Sequence, residues 1–275
     1  MIHFGRSSIR IARPSLSLIY IMGIMSCCGC NRTTPEEHFL RGNAFQHDDD
    51  HTKAIEEYSK AIRLAPDFRE AYVRRAESRK STKSFKQALA DLTKALQLDA
   101  NDPVSYSKRG SYHLFLGEND QAISDYTKSI ELDPDGETYR YRGYAFVKKG
   151  EFPKAIEDYS EAIRLDPDDA TNFYMRAAAQ RNSGDLDKAL ADCERALRLS
   201  PDDRQALYQR GLVWLEQQEF QKAVADFTRG IEQWPDSPLA YQHRADAYDG
   251  LGEHEKAAAD RKEVKRIELE KRQAR

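Results

Sequence analysis

Ala155-Ile156-Glu157-Asp158-Tyr159-Ser160-Glu161-Ala162-Ile163-Arg164-Leu165-Asp166-Pro167 decides the fold, because the chain repeats it. Close copies run from Ala54 to Pro66, Ala122 to Pro134, Ala189 to Pro201 and Ala223 to Pro235, and looser ones begin at Ala88 and Ala257. Each copy is preceded by a second recurring segment. Counted from the residue that opens that segment, units start at Pro35, Arg69, Pro103, Gly136, Ala170, Arg204 and Pro238, in steps of 34 residues except for one of 33 around Asp135-Gly136. A period of this length means supersecondary units that bury their apolar faces only against one another.

Numbered from its opening residue, each unit reads as two helices. Position 4 of the first is bulky: His38, Tyr72, Tyr106, Tyr139, Phe173, Leu207 and Tyr241. Position 8, one helical turn on, is small: Gly42, Ala76, Gly110, Gly143, Ala177, Gly211 and Ala245. This spacing predicts that two backbones approach closely while the ring of position 4 covers the gap. Gly117, Gly150, Gly184 and Gly252 stand where first helices end. The second helix carries Ala at position 20 in all seven units and, at position 24, Tyr58, Leu92, Tyr126, Tyr159, Cys193, Phe227 and finally Arg261. Pro66, Pro134, Pro167, Pro201 and Pro235 stop it, and Pro153 sits near a helix start, where a missing N–H costs nothing.

This pattern resembles the tetratricopeptide repeat (TPR), from Pro35 to about Leu269. The resemblance implies an all-α, right-handed superhelical solenoid of seven helix-turn-helix repeats whose first helices line a concave groove. The last unit departs as a cap does, with Arg261 in place of a ring, and residues 255–275 are expected to form a capping helix with a charged, solvated tail.

Every unit has Arg at position 7 and an acid sixteen residues later, from Arg41/Glu57 through Arg75/Asp91, Arg109/Asp125, Arg142/Asp158, Arg176/Asp192 and Arg210/Asp226 to Arg244/Asp260. The expected role is an ion pair joining the two helices of a unit or adjacent units, since the guanidinium fork suits a carboxylate.

Composition narrows the function. Of 275 residues, 43 are Lys or Arg and 46 are Asp or Glu, for a net charge of −3, so no basic excess points to nucleic acid. The four cysteines make no disulfide framework: Cys27, Cys28 and Cys30 cluster near the N-terminus, and Cys193 takes a core position. No nucleophile elbow, phosphate loop or pair of CxxC motifs is present, so no catalytic residue and no cofactor is assigned. His47-Asp48-Asp49-Asp50-His51 has metal-ligand spacing but reads as the turn between the first two helices, with Asp50 at a helix N-terminus. No metal is assigned.

Residues 1–26 differ from the rest. Arg6, Arg10 and Arg13 precede the apolar run from Leu16 to Met25, which is too short to span a bilayer but suits a signal-peptide core. Ile24-Met25-Ser26-Cys27 resembles a bacterial lipobox, with Cys27 as the lipidation candidate and Cys30, after Gly29, as a second. The expectation is an exported lipoprotein held on a membrane surface by lipid, with residues 27–34 as a short tether. An uncleaved anchor or plain signal peptide, and a cytoplasmic chain with a disordered N-terminal extension, are the alternatives.

By the resemblance, positions 2, 5, 6, 9, 12 and 13 of the first helix face the groove. The apolar and aromatic residues there are Leu114, Phe115, Tyr141, Tyr144, Val147, Tyr174, Met175, Tyr208, Leu212 and Leu215, with Lys108, Arg140, Lys148 and Arg181 among them. Some of them are equally able to pack on the next unit. The Lys/Asn clamp by which TPR co-chaperones hold a C-terminal carboxylate is matched only at Asn43 and Lys108; Phe39, Arg74 and Val104 stand at its other positions. The expected function is a non-enzymatic scaffold that captures a peptide or partner helix of unidentified origin. The alternative is an envelope assembly protein that associates through its repeats.

Overall fold

The computed structural model describes residues 33–273. These contain fourteen α-helices and no strand. In chain order they are α1 (Pro35–His47), α2 (His51–Leu64), α3 (Arg69–Ser81), α4 (Phe85–Leu98), α5 (Pro103–Phe115), α6 (Asn119–Leu132), α7 (Gly136–Lys149), α8 (Phe152–Leu165), α9 (Ala170–Asn182), α10 (Leu186–Leu199), α11 (Arg204–Glu216), α12 (Phe220–Gln233), α13 (Pro238–Gly250) and α14 (His254–Gln273). They divide into two compact units, one ending at Ser105 and the other beginning at Tyr106. In the first, α1 to α4 pack serially, each on the next. In the second, α7 to α14 do the same, and the first helices α7, α9, α11 and α13 also touch in sequence, forming one layer. Cys27 and Cys30, with the whole segment read as a signal peptide, lie outside the described residues.

Local chemistry sets the helix ends. Thr34 and Glu37 form a reciprocal capping box at the start of α1, and Asp50, Asp135, Asp169, Asp203 and Ser237 each accept a backbone N–H at the start of a later helix. Between the helices of every unit, position 15 has positive φ: 76° at Gly150 and 90° at Gly184, but also 63° at Asp49, 59° at Lys83 and 61° at Gln218. The turn therefore forms with a non-glycine residue too, at roughly 1–2 kcal/mol of left-handed strain.

Packing centres on position 20. All seven alanines there, from Ala54 to Ala257, are 0% exposed, so a larger side chain has no room. The small residue at position 8 has a different partner from the one its spacing suggested. It meets the ring at position 24 of the second helix, rather than the residue one turn before it. A Cβ on Gly42 would stand 2.5 Å from the Tyr58 ring, on Gly143 2.9 Å from Tyr159, and on Gly211 2.7 Å from Phe227. Glycine at position 8 accompanies an aromatic ring at 24 in four units. Alanine accompanies Leu92, Cys193 or Arg261 in the other three. Helical spacing pointed to a neighbour on the same helix, whereas the steric demand comes from across the hairpin.

From the second unit to the seventh, the Arg/acid series is an ion pair within the unit. Arg142 donates from Nε and Nη2 to the two oxygens of Asp158 (2.9 and 2.7 Å), and Arg176 does the same to Asp192 (2.7 and 2.8 Å). The same fork joins Arg75 to Asp91, Arg210 to Asp226 and Arg244 to Asp260. The third nitrogen reaches back to the preceding unit: Arg142 to Thr127 (3.0 Å), Arg176 to Ser160 (3.0 Å) and Arg244 to Thr228 (3.1 Å). One guanidinium therefore fixes both the hairpin and its register on the neighbour. In the first unit Glu57 accepts from His38 (2.7 Å) and is also held by Lys60. Burial works to raise its pKa, and those two hydrogen bonds outweigh burial and leave it lowered.

The C-terminal tail differs from the solvated helix expected of its charge. Although most of α14 past Lys262 is exposed, Ile267 is 2% exposed, and Lys271 Nζ donates to the Asp236 carbonyl at 2.9 Å. One apolar residue in the charged run is enough to dock the helix back on the array. Arg261, at the ring position, pairs with Asp249 (2.6 Å) and Asp246 (3.3 Å).

Candidate functional site

The second compact unit carries the whole apolar set on its first helices. Lys108, Leu114 and Phe115 lie on α5; Tyr141, Tyr144 and Val147 on α7; Tyr174 and Met175 on α9; Tyr208, Leu212 and Leu215 on α11. Because α7, α9 and α11 touch in sequence, their residues form neighbouring rows.

Their surroundings separate them. Val147 and Met175, with Phe146 and Ile156, wall a core cluster of Ala155, Tyr159 and Ala179. Leu212 and Leu215, with Trp214 and Val224, do the same around Ala223, Phe227 and Ala247. These four serve packing first. The tyrosines are half-buried too: Tyr208 packs on this second cluster with the leucines, while charged groups engage Tyr141 and Tyr144. Tyr141 stacks on Tyr126 (centroids 6.0 Å apart, planes 21° apart), donates its hydroxyl to Glu137 at 2.9 Å, and lies under the Arg140 guanidinium. Lys148 sits 5.0 Å from the Tyr144 ring. Tyr174 rests on the cluster of Phe173, Ala196, Leu197, Ala206 and Leu207. Tyr208 contacts Phe227 (5.9 Å) and His243 (5.8 Å). Lys108 and Leu114 are half-buried, while Phe115 is 71% exposed.

Burial raises the phenol pKa of Tyr141, Tyr174 and Tyr208, so these rings are neutral donors at pH 7. It lowers that of the His243 imidazole, against the pull of Asp246 at 3.6 Å. The surface is thus aromatic and uncharged at its base, with cations over the rings of α7 and an Arg181–Glu216 pair on α9 and α11. Such a surface suits binding, because neutral rings with a few fixed donors give area and orientation.

His243 was legible and passed over. It stands at position 6 of the last unit, a groove position by the rule above, and its imidazole stacks on Phe227 (6.1 Å, 27°). Trp234 carried another signal, a large ring at position 31 where other units have Ala65, Asp99, Asp133, Asp166 and Ser200.

Nothing in the remaining clusters suggests chemistry. Among the described residues no group of three or more His, Cys, Asp or Glu side chains is placed to hold a metal ion. His51 pairs with Asp49 at 3.1 Å, and Asp50 caps α2. Cys193 is buried at 0% exposure, and burial pushes its thiol up to about 12, which makes it a poor nucleophile. No helix among the described residues is long and apolar enough to cross a membrane.

Family models described as tetratricopeptide repeat match residues 35–68, 70–102, 104–135, 174–238 and 215–261, and one described as TPR repeat matches 143–184. The chain belongs to the tetratricopeptide repeat family. Among curated proteins none matches its sequence. Among solved structures, a TPR protein from Parabacteroides merdae is similar over 85% of this chain and 93% of its own, with 19% identity and a TM-score of 0.72. MamA covers 60% of this chain and 96% of its own at 28% identity and a TM-score of 0.53. YrrB, described as a TPR protein with an unusual peptide-binding site, covers 66% of this chain and 95% of its own at 23% identity and a TM-score of 0.56. TPR arrays are generally scaffolds for protein–protein interaction, and the TPR fold of this chain suggests that role.

Proposed function

We propose that this TPR protein captures an extended peptide or a partner's helix along the row of first helices from α5 to α11. The supporting observation is the aromatic row itself: Tyr141, Tyr144, Tyr174 and Tyr208 fall half-buried on the successive first helices α7, α9 and α11, with Arg140 over the Tyr141 ring and Lys148 over the Tyr144 ring. A single core needs no such row on one face, and aromatic anchors ringed by polar groups are what binding hot spots are made of. Lys108, Arg140 and Lys148 would orient an acidic or carbonyl-rich segment, and the apolar rings would hold its side chains. The Tyr144→Ala/Tyr174→Ala double variant is expected to abolish partner capture in a pull-down while its circular dichroism and thermal midpoint stay near those of the parent. Unchanged capture by that variant would refute the groove assignment.

The N-terminal segment adds a location to this reading. Lipidation at Cys27 would hold the array at a membrane face without spanning it, as the lipobox-like Ile24-Met25-Ser26-Cys27 suggests. Mass spectrometry of the mature protein purified from membranes should find an N-terminus at Cys27 carrying acyl chains. A chain beginning at Met1 would remove the anchor.

A further inference from the structure

A cleft of about 240 Å³ opens where α11, α12 and α13 meet, with Lys271 of α14 at its edge. It exists because the repeat departs from its own pattern there. At position 27 the first five units carry Ala61, Ala95, Ser129, Ala162 and Ala196, all 0–1% exposed. The sixth carries Gly230, and a Cβ built on it meets nothing within 4 Å. Tyr208, Phe227, Trp234 and Leu239 supply apolar lining.

The second departure is in charge. The guanidinium of Arg204 lies on the indole of Trp234, 4.1 Å from its centroid. Arg69, at the same position of its own unit, is paired with Asp102, the residue that precedes the next unit. The counterpart of Asp102 beside Arg204 is Ser237, whose hydroxyl is occupied in capping α13 through the Ala240 N–H. The acids around the cleft are engaged elsewhere: Asp202 with Arg229 (2.7 Å), Asp203 with the Ala206 N–H (2.8 Å) and Asp226 with Arg210 (2.7 Å). Among the described residues Arg204 therefore has no carboxylate partner, and Lys271, bound to a carbonyl, keeps two donors free.

We propose that this cleft is a site for a small organic monoanion, a carboxylic acid with an aryl or branched alkyl body; of the row proposed for peptide capture it shares Tyr208. The ring or branched chain enters between Trp234, Tyr208 and Phe227, and the carboxylate accepts from Arg204. The volume suits that body, since a dry cavity of about 150 Å³ already admits benzene. The charge suits that head, because a guanidinium held over an indole is oriented before the ligand arrives and presents a donor fork matched to a carboxylate.

The sequence has two tryptophans, so Trp214→Phe leaves Trp234 as the sole indole reporter in the full chain. Titration with 3-phenylpropionate should change its emission saturably. The neutral 3-phenylpropionamide should bind about tenfold more weakly, for loss of a charge-assisted hydrogen bond. Gly230→Leu, which fills the cleft, should remove binding. Ser237→Asp should weaken it about tenfold by giving Arg204 the carboxylate that Arg69 has, while Asp still caps α13. It therefore serves as the test even where Gly230→Leu disturbs folding. Equal binding of the amide, undiminished binding by Ser237→Asp, or no saturation with 3-phenylpropionate would overturn the proposal. So would an N-acetylated tripeptide ending in phenylalanine that bound ten times more tightly than the free acid, since it would assign the cleft to a chain terminus.

Discussion

Arg176→Met is expected to destabilise the second compact unit by about 3 kcal/mol, because it strands the buried Asp192 carboxylate, whose ion pair is with this arginine. Asp192 is 7% exposed and takes both of its short hydrogen bonds, 2.7 and 2.8 Å, from this one guanidinium. Removing the arginine also removes the 3.0 Å hydrogen bond that Ser160 Oγ accepts on the preceding unit, so the loss is felt at the junction of two repeats. At this chain length about 3 kcal/mol corresponds to a fall in thermal midpoint of roughly 6–12 °C. Replacing both partners, Arg176→Met with Asp192→Leu, should recover most of it, since a pair of buried charges contributes far less than the cost of breaking it. A surface pair provides the contrast: Lys188–Asp185, with side chains 71% and 48% exposed, should lose no more than about 1 kcal/mol on Lys188→Gln. If the single Arg176→Met variant melted with the parent, the forks would be ornaments of the surface and not pins of the register.

The two kinds of departure from the repeat explain what could be read from the sequence and what could not. The fold class was legible because many positions recur together and resemble the TPR; the alanine at position 20 marks a close approach of helices in every unit, and all seven are fully buried. The Arg/acid series was legible for the same reason, although only the structure shows that one guanidinium serves two units at once through Ser160 or Thr127. The groove was legible less completely. Position 6 marks Tyr141 and His243 alike, but whether a half-buried ring is wall or surface depends on what the next helix brings against it. Periodicity carries no information on that. Val147, Met175, Leu212 and Leu215 went to core clusters for this reason, while Tyr144 has a lysine over its face. The Arg204 cleft was hidden because it arises from two substitutions, Gly230 and Ser237, each ordinary by itself.

The pairing of glycine at position 8 with a ring at position 24 leads to the second large effect. Cys193→Phe is expected to destabilise by about 2–3 kcal/mol, the cost of overpacking a filled site. In the unit of α7 and α8 the Tyr159 ring fills the place where a Cβ on Gly143 would come to 2.9 Å, and beside α12 the Phe227 ring stands 2.7 Å from where one on Gly211 would be. The unit of α9 and α10 has Ala177 there, 0% exposed and packed with Cys193, Ala189 and Val213. A ring at 193 meets that methyl group head-on. Ala177→Gly alone removes the methyl group and should cost about 1 kcal/mol in helix propensity, with some further loss for the void. Combined, the two changes recreate the arrangement of Gly211 and Phe227, and stability should return to within about 1 kcal/mol of the parent, giving a coupling of roughly 2 kcal/mol or more. Phenylalanine is the right ring to install, because the hydroxyls of Tyr58 and Tyr126 are satisfied by Asn43, Gln46 and Ser111, whereas Ala178 stands in this unit where Asn43 and Ser111 stand in theirs. Urea unfolding of the two single variants and the double variant measures the coupling. Equal destabilisation by Cys193→Phe with and without Ala177→Gly would mean that the glycine–ring match is a coincidence of seven units and not the rule by which these hairpins close.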